Sequence, residues 1–293
     1  MAGYPAAVRP DAEMGLRNVP RRSWHAAAVA GLGIFCLVVV VTVGAPLLAR
    51  YDPIDQVLRD AFQPASAAHW LGTDRLGRDL FARIAYGGRF PLAITLVAVS
   101  VSAVFGTLIG AIVGRVGGAI EEIAMRLIDV FISFPSILVG FVIAALLKPG
   151  FATLVLAITV TDWTPFARLA RAITLEINTR AYIEAASAVG ATEPLILRKH
   201  VLHHLVGPVL AMGFLRFGHG LLTIAGLSYL GLGAPPPAPD WGAMLAEAQP
   251  YMVRFPILVL APGLIIFVTA LSVALAGRGL MLMFDAPHGA PRT

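Results

Sequence analysis

Apolar residues run through this chain in long blocks, without the short alternations that mark half-buried strands or surface helices. Six blocks stand out, at roughly 25–49, 90–114, 126–147, 151–170, 205–232 and 257–280. Each holds about 20 residues or more, the length an α-helix needs to cross about 30 Å of hydrocarbon at about 1.5 Å per residue. The pattern predicts an all-α integral membrane protein with six spans. The first block is too long for the core of a secretory signal, and no small-residue cleavage site with a soluble domain follows it.

The polar residues fall between the blocks. Residues 1–24 form a polar N-terminal tail and 286–293 a short C-terminal one, leaving 25–285 as the membrane domain. Lys148-Pro149-Gly150 predicts a tight turn between the third and fourth spans. The stretch Ala234-Pro235-Pro236-Pro237-Ala238-Pro239 predicts an extended connection, because proline fixes φ and donates no hydrogen bond. Two connections are long, 50–89 and 171–204. With the N-terminus in the cytoplasm, thirteen of the 22 Lys and Arg fall on the inner side and eight on the outer, with Arg216 inside a block. This bias favours an N-in, C-in orientation, with 50–89 external and 171–204 cytoplasmic.

Composition narrows the function. Charged residues make up 13% of the chain, against about 25% in a soluble domain. The net charge of +5 is not laid out in a basic stripe interleaved with aromatics, so nucleic acid is not an expected partner. The single cysteine, Cys36, allows no internal disulfide and no thiolate cluster. No G-x-x-x-x-G-K-[ST] phosphate loop, H-E-x-x-H, G-x-S-x-G or Cys/His cluster occurs, so neither a catalytic residue nor a resident metal or cofactor is expected in this chain.

The inner connection contains Tyr182-Ile183-Glu184-Ala185-Ala186-Ser187-Ala188-Val189-Gly190, then Thr192-Glu193-Pro194. Helix formers lead to Gly190, which can end a helix in the left-handed conformation. Thr192 can then cap a second helix, with Pro194 in its first turn. Glu184-Ala185-Ala186 followed by Gly190 resembles the EAA loop of binding-protein-dependent ABC importer permeases. The family's I-x-L-P ending is not matched, since His203 stands at the expected proline. Two further blocks resemble the peptide/nickel branch, second-permease type. One is His69, Gly72-Thr73-Asp74 and Gly77-Arg78-Asp79; the other is Leu227-Ser228-Tyr229-Leu230-Gly231-Leu232-Gly233 with Pro235-Pro236 and Trp241-Gly242-Ala243-Met244-Leu245. Asp129 with Phe134-Pro135 is similar to a third signature, and Gly277-Arg278-Gly279-Leu280 to a degraded fourth.

The resemblance implies a type I ABC importer permease fold in the bacterial inner membrane. It implies a homologous permease partner forming a heterodimer, two ATPase subunits that bind ATP and Mg, and an extracytoplasmic binding protein. The Glu184–Gly190 loop would dock on the ATPase and transmit its closure. Candidate cargos are small peptides and nickel or metal chelates.

Each remaining candidate site admits a plain structural reading. In the outer motif, Thr73 and Asp74 can cap a helix, and Asp79 can pair with Arg75, Arg78 or Arg83; a structural hairpin or a partner-contacting surface both fit. Trp241 suits a membrane interface. Arg216 and His219, three residues apart and so on one helical face, either line the translocation path, contact the partner permease, or snorkel to the surface. Asp162 is a further candidate for the path. A proton-coupled secondary transporter is the competing class, and would need intramembrane carboxylates; the blocks offer Asp129 and Asp162.

Overall fold

The computed structural model describes residues 21–284. Most of the expected N-terminal tail and the whole of the expected 286–293 tail lie outside the described residues. Twelve α-helices, joined by shorter 3₁₀ and π turns, make up these residues: α1 (Arg21–Val43), α2 (Ala45–Leu48), α3 (Leu80–Gly87), α4 (Arg89–Val116), α5 (Gly118–Ser133), α6 (Ser136–Leu146), α7 (Phe151–Asn178), α8 (Ala181–Ala188), α9 (Glu193–Ile196), α10 (Leu202–Leu227), α11 (Trp241–Ala248) and α12 (Ile257–Phe284). Among them the only β pairing is an isolated bridge between Thr73 and Asp79.

Four helical segments are long and apolar enough to cross a membrane: Ala26–Val43, Leu80–Val116, Glu193–Leu232 and Ile257–Met283. The block at 126–147 is not one straight helix. It breaks into α5 and α6, bent by 81°. The cause is local: Pro135 forces the residue before it out of the helical region, and Phe134 takes φ −93°, ψ 129°. Counted as one broken span, the pair makes a fifth.

Packing is tightest between α4 and α7. Gly106, Gly110 and Gly114 form a stripe along α4, and α7 lies on it backbone to backbone. A Cβ at Gly106 would sit 2.2 Å from the Trp163 carbonyl oxygen, and one at Gly110 2.1 Å from that of Ala167. Such small-residue seams bring membrane helices close enough for dispersion to hold them without a hydrophobic drive. Within α7, Pro165 lacks the N–H that would bond the Thr161 carbonyl; the Thr164 hydroxyl donates to it instead, at 3.2 Å. A second body forms from α1, α10 and α12, with Phe35 packed edge-on against Phe217 at 5.3 Å.

The connection after α10 departs from expectation. Residues 235–238 close a turn, with the Ala238 N–H donating to the Pro235 carbonyl at 3.2 Å, where an extended run was expected. Trp241 is also not an interfacial side chain: it is fully buried and its Nε1 donates to the Ile84 carbonyl at 2.8 Å. Its indole pins α11 to α3.

Candidate functional site

Three polar assemblies stand out, at the two ends of the helices and within the bundle. The first is a cavity of about 630 Å³ between the α5–α6 bend, α7 and α10. Phe131, Phe134 and Pro135 form one wall; Asp162 and Arg168 of α7, with Arg216 and His219 of α10, line it as well. The structure therefore brings Asp162, Arg216 and His219 together. Arg216 Nη1 and His219 Nδ1 each lie 3.9 Å from Asp162 Oδ1, a distance for ion pairing and too long for a hydrogen bond. Asp162 is buried, and its Oδ2 has no hydrogen-bond partner in the chain. Arg168 pairs with Asp129 at the same cavity. Trp163, beside Asp162, points away and packs between Phe105 and Phe131. Charges at membrane depth are costly unless they face a partner or a water-filled space, and this cavity provides the space.

The second assembly is the connection from α7 to α10. α8 carries Glu184, Ala185 and Ala186; Gly190 follows at φ +86°, a left-handed value that glycine adopts without strain. Thr192 occupies the N-cap position of α9, but its side chain makes no capping hydrogen bond. Instead Glu193 and Pro194 begin the helix. One face of α8 is anchored: Ile183 packs with Ile177 of α7, Ile196 of α9, Val201 and Leu205, and Ala111 of α4. The opposite face, with Glu184, Ala185, Ala188 and Val189, is exposed. An exposed strip of small side chains with one carboxylate, backed by an apolar nucleus, is a surface that another protein can approach closely.

The third assembly is the 50–79 hairpin, where two expectations are corrected. Asp79, not Thr73 or Asp74, caps a helix: its Oδ1 accepts from the Ala82 N–H of α3 at 2.7 Å. Asp79 also pairs with no arginine; its Oδ2 meets His69 Nδ1 at 2.9 Å. The arginine partner is Asp74. Its Oδ2 accepts from Arg78 Nε at 2.6 Å and Arg83 Nη1 at 2.5 Å, and its Oδ1 from the N–H groups of Leu76 and Arg78. The same two guanidiniums reach Glu247 of α11 at 2.5 and 3.1 Å. The tertiary fold decides this, because α11 brings in a second carboxylate that the local spacing of 72–79 does not reveal. Burial pushes the Asp74 carboxyl up, but Arg83, Arg78 and the two backbone donors outweigh it and hold it below its ordinary 3.8. Gly72 and Gly77 take positive φ at the corners of the hairpin.

Glu247 and the Arg168–Asp129 pair were not singled out from sequence. A lone acid in the otherwise apolar α11 is the signal that could have found the first.

Residues 106–284 match the family described as binding-protein-dependent transport system inner membrane component. Residues 24–65 match the N-terminal transmembrane domain of oligopeptide transport permease C. A glutathione transport system permease protein of Pectobacterium atrosepticum is 40% identical over 262 residues, covering 89% of this chain and 87% of the relative. Its Escherichia coli counterpart is 38% identical over 265 residues, covering 90% and 87%. A dipeptide transport system permease protein of Alkalihalophilus pseudofirmus is 35% identical over 258 residues, covering 88% and 85%. The family match spans the charged cavity, the Glu184 loop and α11 alike, and the body around them is a multi-pass helical one: the chain belongs to the binding-protein-dependent permeases of the inner membrane, in their peptide-transport family.

Proposed function

We propose that this chain is one permease subunit of an ATP-driven importer of small peptides, working by alternating access. The carrying observation is the exposed face of α8, with Glu184, Ala185 and Ala188 presented ahead of Gly190 and held from behind by Ile183. That surface suits docking into a separate ATPase, which would hold ATP and Mg. In this reading the spans are α1, α4, the bent α5–α6 pair, α7, α10 and α12, six in all, N-in and C-in. α7 carries Asp162, Arg168 and Arg171, which fits a helix facing a polar path more than lipid.

The cavity would form half of that path. Its aromatic wall and its paired charges suit a zwitterionic cargo, and the names of the relatives support short peptides, a thiol tripeptide among them. The exposed apolar residues of α5 and α6, including Ile123, Val130, Ile137 and Phe141, suit a homologous permease packed against that side. An extracytoplasmic binding protein would deliver cargo to the face bearing the 50–79 hairpin.

The test is reconstitution of the chain with its partner permease, ATPases and binding protein in proteoliposomes. Uptake of labelled di- and tripeptides that requires ATP inside, and that falls at least roughly tenfold in Gly190→Pro, is expected because proline cannot take the positive φ there. Uptake of nickel or a metal chelate in place of peptides would reassign the cargo. Uptake driven by a proton gradient without ATP would replace the whole reading with the proton-coupled one.

A further inference from the structure

One guanidinium, Arg115, lies where three helix ends meet. It sits in the last turn of α4. Its Nε and Nη2 donate to the two oxygens of Glu193, the first residue of α9, at 2.5 and 3.1 Å. Its Nη1 donates to Asn178 Oδ1, the last residue of α7, at 2.9 Å, and Asn178 in turn donates to the Gly114 carbonyl at 3.0 Å. The arrangement is electrostatically consistent: the cation stands at the negative ends of α4 and α7, and the carboxylate at the positive end of α9. A bidentate arginine–carboxylate pair also fixes orientation in a way a single contact does not.

The position matters because of what each helix carries. α8 follows α7 after a break at Thr179 and Arg180, where Arg180 is extended. α9 lies beyond the Gly190 turn, runs on through a π turn at Leu197–Val201 into α10, and meets α4 and α7 through the apolar nucleus around Ile183 and Ile196. Arg115 ties α9 back to α4. The Gly106–Gly110–Gly114 seam makes α4 and α7 one unit, and that unit carries Asp162 into the charged cavity.

We propose that Arg115 is a positioning residue that couples the α9–α10 helix to the α4–α7 unit, so that displacement of the loop by an ATPase moves Asp162 on α7 and Arg216 and His219 on α10 together instead of being absorbed between the two. This rests on the ATP-driven reading above. The Arg115–Glu193 joint would act as a transmission element, not as a docking contact or a path residue.

The experiment uses the full reconstituted transporter and reads three quantities: ATPase co-purification, ATP hydrolysis stimulated by the binding protein, and peptide uptake. For Arg115→Gln and Glu193→Gln, hydrolysis is expected to persist while uptake per ATP falls roughly tenfold, the size of effect expected when one member of a shared network is removed. The double exchange Arg115→Glu with Glu193→Arg is expected to recover part of that ratio. An unchanged ratio in Glu193→Gln, an exposed position that leaves the fold intact, would overturn the proposal. Loss of ATPase co-purification in Glu193→Gln would also overturn it, since Glu193 would then be a docking residue. Wild-type protein that binds no ATPase would instead sink the underlying reading.

Discussion

At the 50–79 hairpin Asp74 has both oxygens engaged, by two guanidiniums at 2.5 and 2.6 Å and two backbone N–H groups. In the α7–α10 cluster Asp162 has one oxygen facing Arg216 and His219 across 3.9 Å and the other without a partner. Both carboxylates are buried and both have arginine partners. The hairpin carboxylate is fully engaged, with Glu247 supplying the second negative charge for Arg78 and Arg83, although Arg83 Nε itself is buried without a partner. The cluster is open, with Arg216 and His219 partly exposed toward a cavity of about 630 Å³. A buried carboxylate engaged at both oxygens is held in one geometry; one with a free oxygen leaves an interaction to be made with something else, and on the proposed reading it sits where a cargo would pass.

The largest expected effect comes from breaking the hairpin network. Asp74→Asn leaves Arg78 and Arg83 short of a buried counter-charge and is expected to cost about 3–5 kcal/mol, the range for removing one partner of a buried pair. It should appear as a large fall in the thermal midpoint of the detergent-purified protein. Asp162→Asn, by contrast, removes a charge that no hydrogen bond holds and leaves Arg216 and His219 open to solvent, so it should cost much less than Asp74→Asn while lowering peptide uptake. Equal destabilisation by the two substitutions would erase the distinction.

A double-mutant cycle sharpens the same contrast. The coupling energy between Asp74 and Arg83 should reach about 2 kcal/mol, and that between Asp162 and Arg216 should stay below about 0.5 kcal/mol, read from melting or denaturant curves of single and double variants. A strong Asp162–Arg216 coupling in the resting protein would mark the cavity cluster as a structural latch, and its exposure to cargo would need another origin.

The comparison also shows what the sequence carried. The apolar blocks are legible because their length answers to bilayer thickness, and chain-local features such as Gly190 ending α8 follow from backbone sterics. Hydropathy says nothing of direction, so 126–147 read as one span although Pro135 turns it by 81°. Spacing put Asp79 near three arginines, but α3 takes that carboxylate as its cap and leaves Arg78 and Arg83 to Asp74. Arg216 and His219 were legible as one face of a helix. Their convergence on Asp162 was not, because it depends on how α10 packs against α7. Pairings across long sequence separations, such as Arg78 with Glu247, belong to the tertiary fold and leave only a lone charge in an apolar run as their trace.

The smallest effect separates Asp74 from Asp240, another buried carboxylate, at the head of α11. Burial pushes the Asp240 carboxyl above its ordinary 3.8, and the donors that face it, the Ala234, Gly242 and Ala243 N–H groups and the Ser228 hydroxyl, recover only part of that. The two groups therefore bend the stability curve in opposite directions. Asp74, held low, contributes stability that is fully present above pH 3.8 and is lost as pH falls through its folded value. Asp240, held high, contributes stability that is fully present below pH 3.8 and is lost as pH rises through its folded value. Lowering the pH from neutral should first raise the thermal midpoint slightly, as Asp240 takes its proton, and then lower it below pH 3.8, as Asp74 does. Asp240→Asn should flatten the first limb and leave the second, because asparagine keeps the capping acceptor for Gly242 and removes the titration. A first limb that survives in Asp240→Asn would assign the rise to another group.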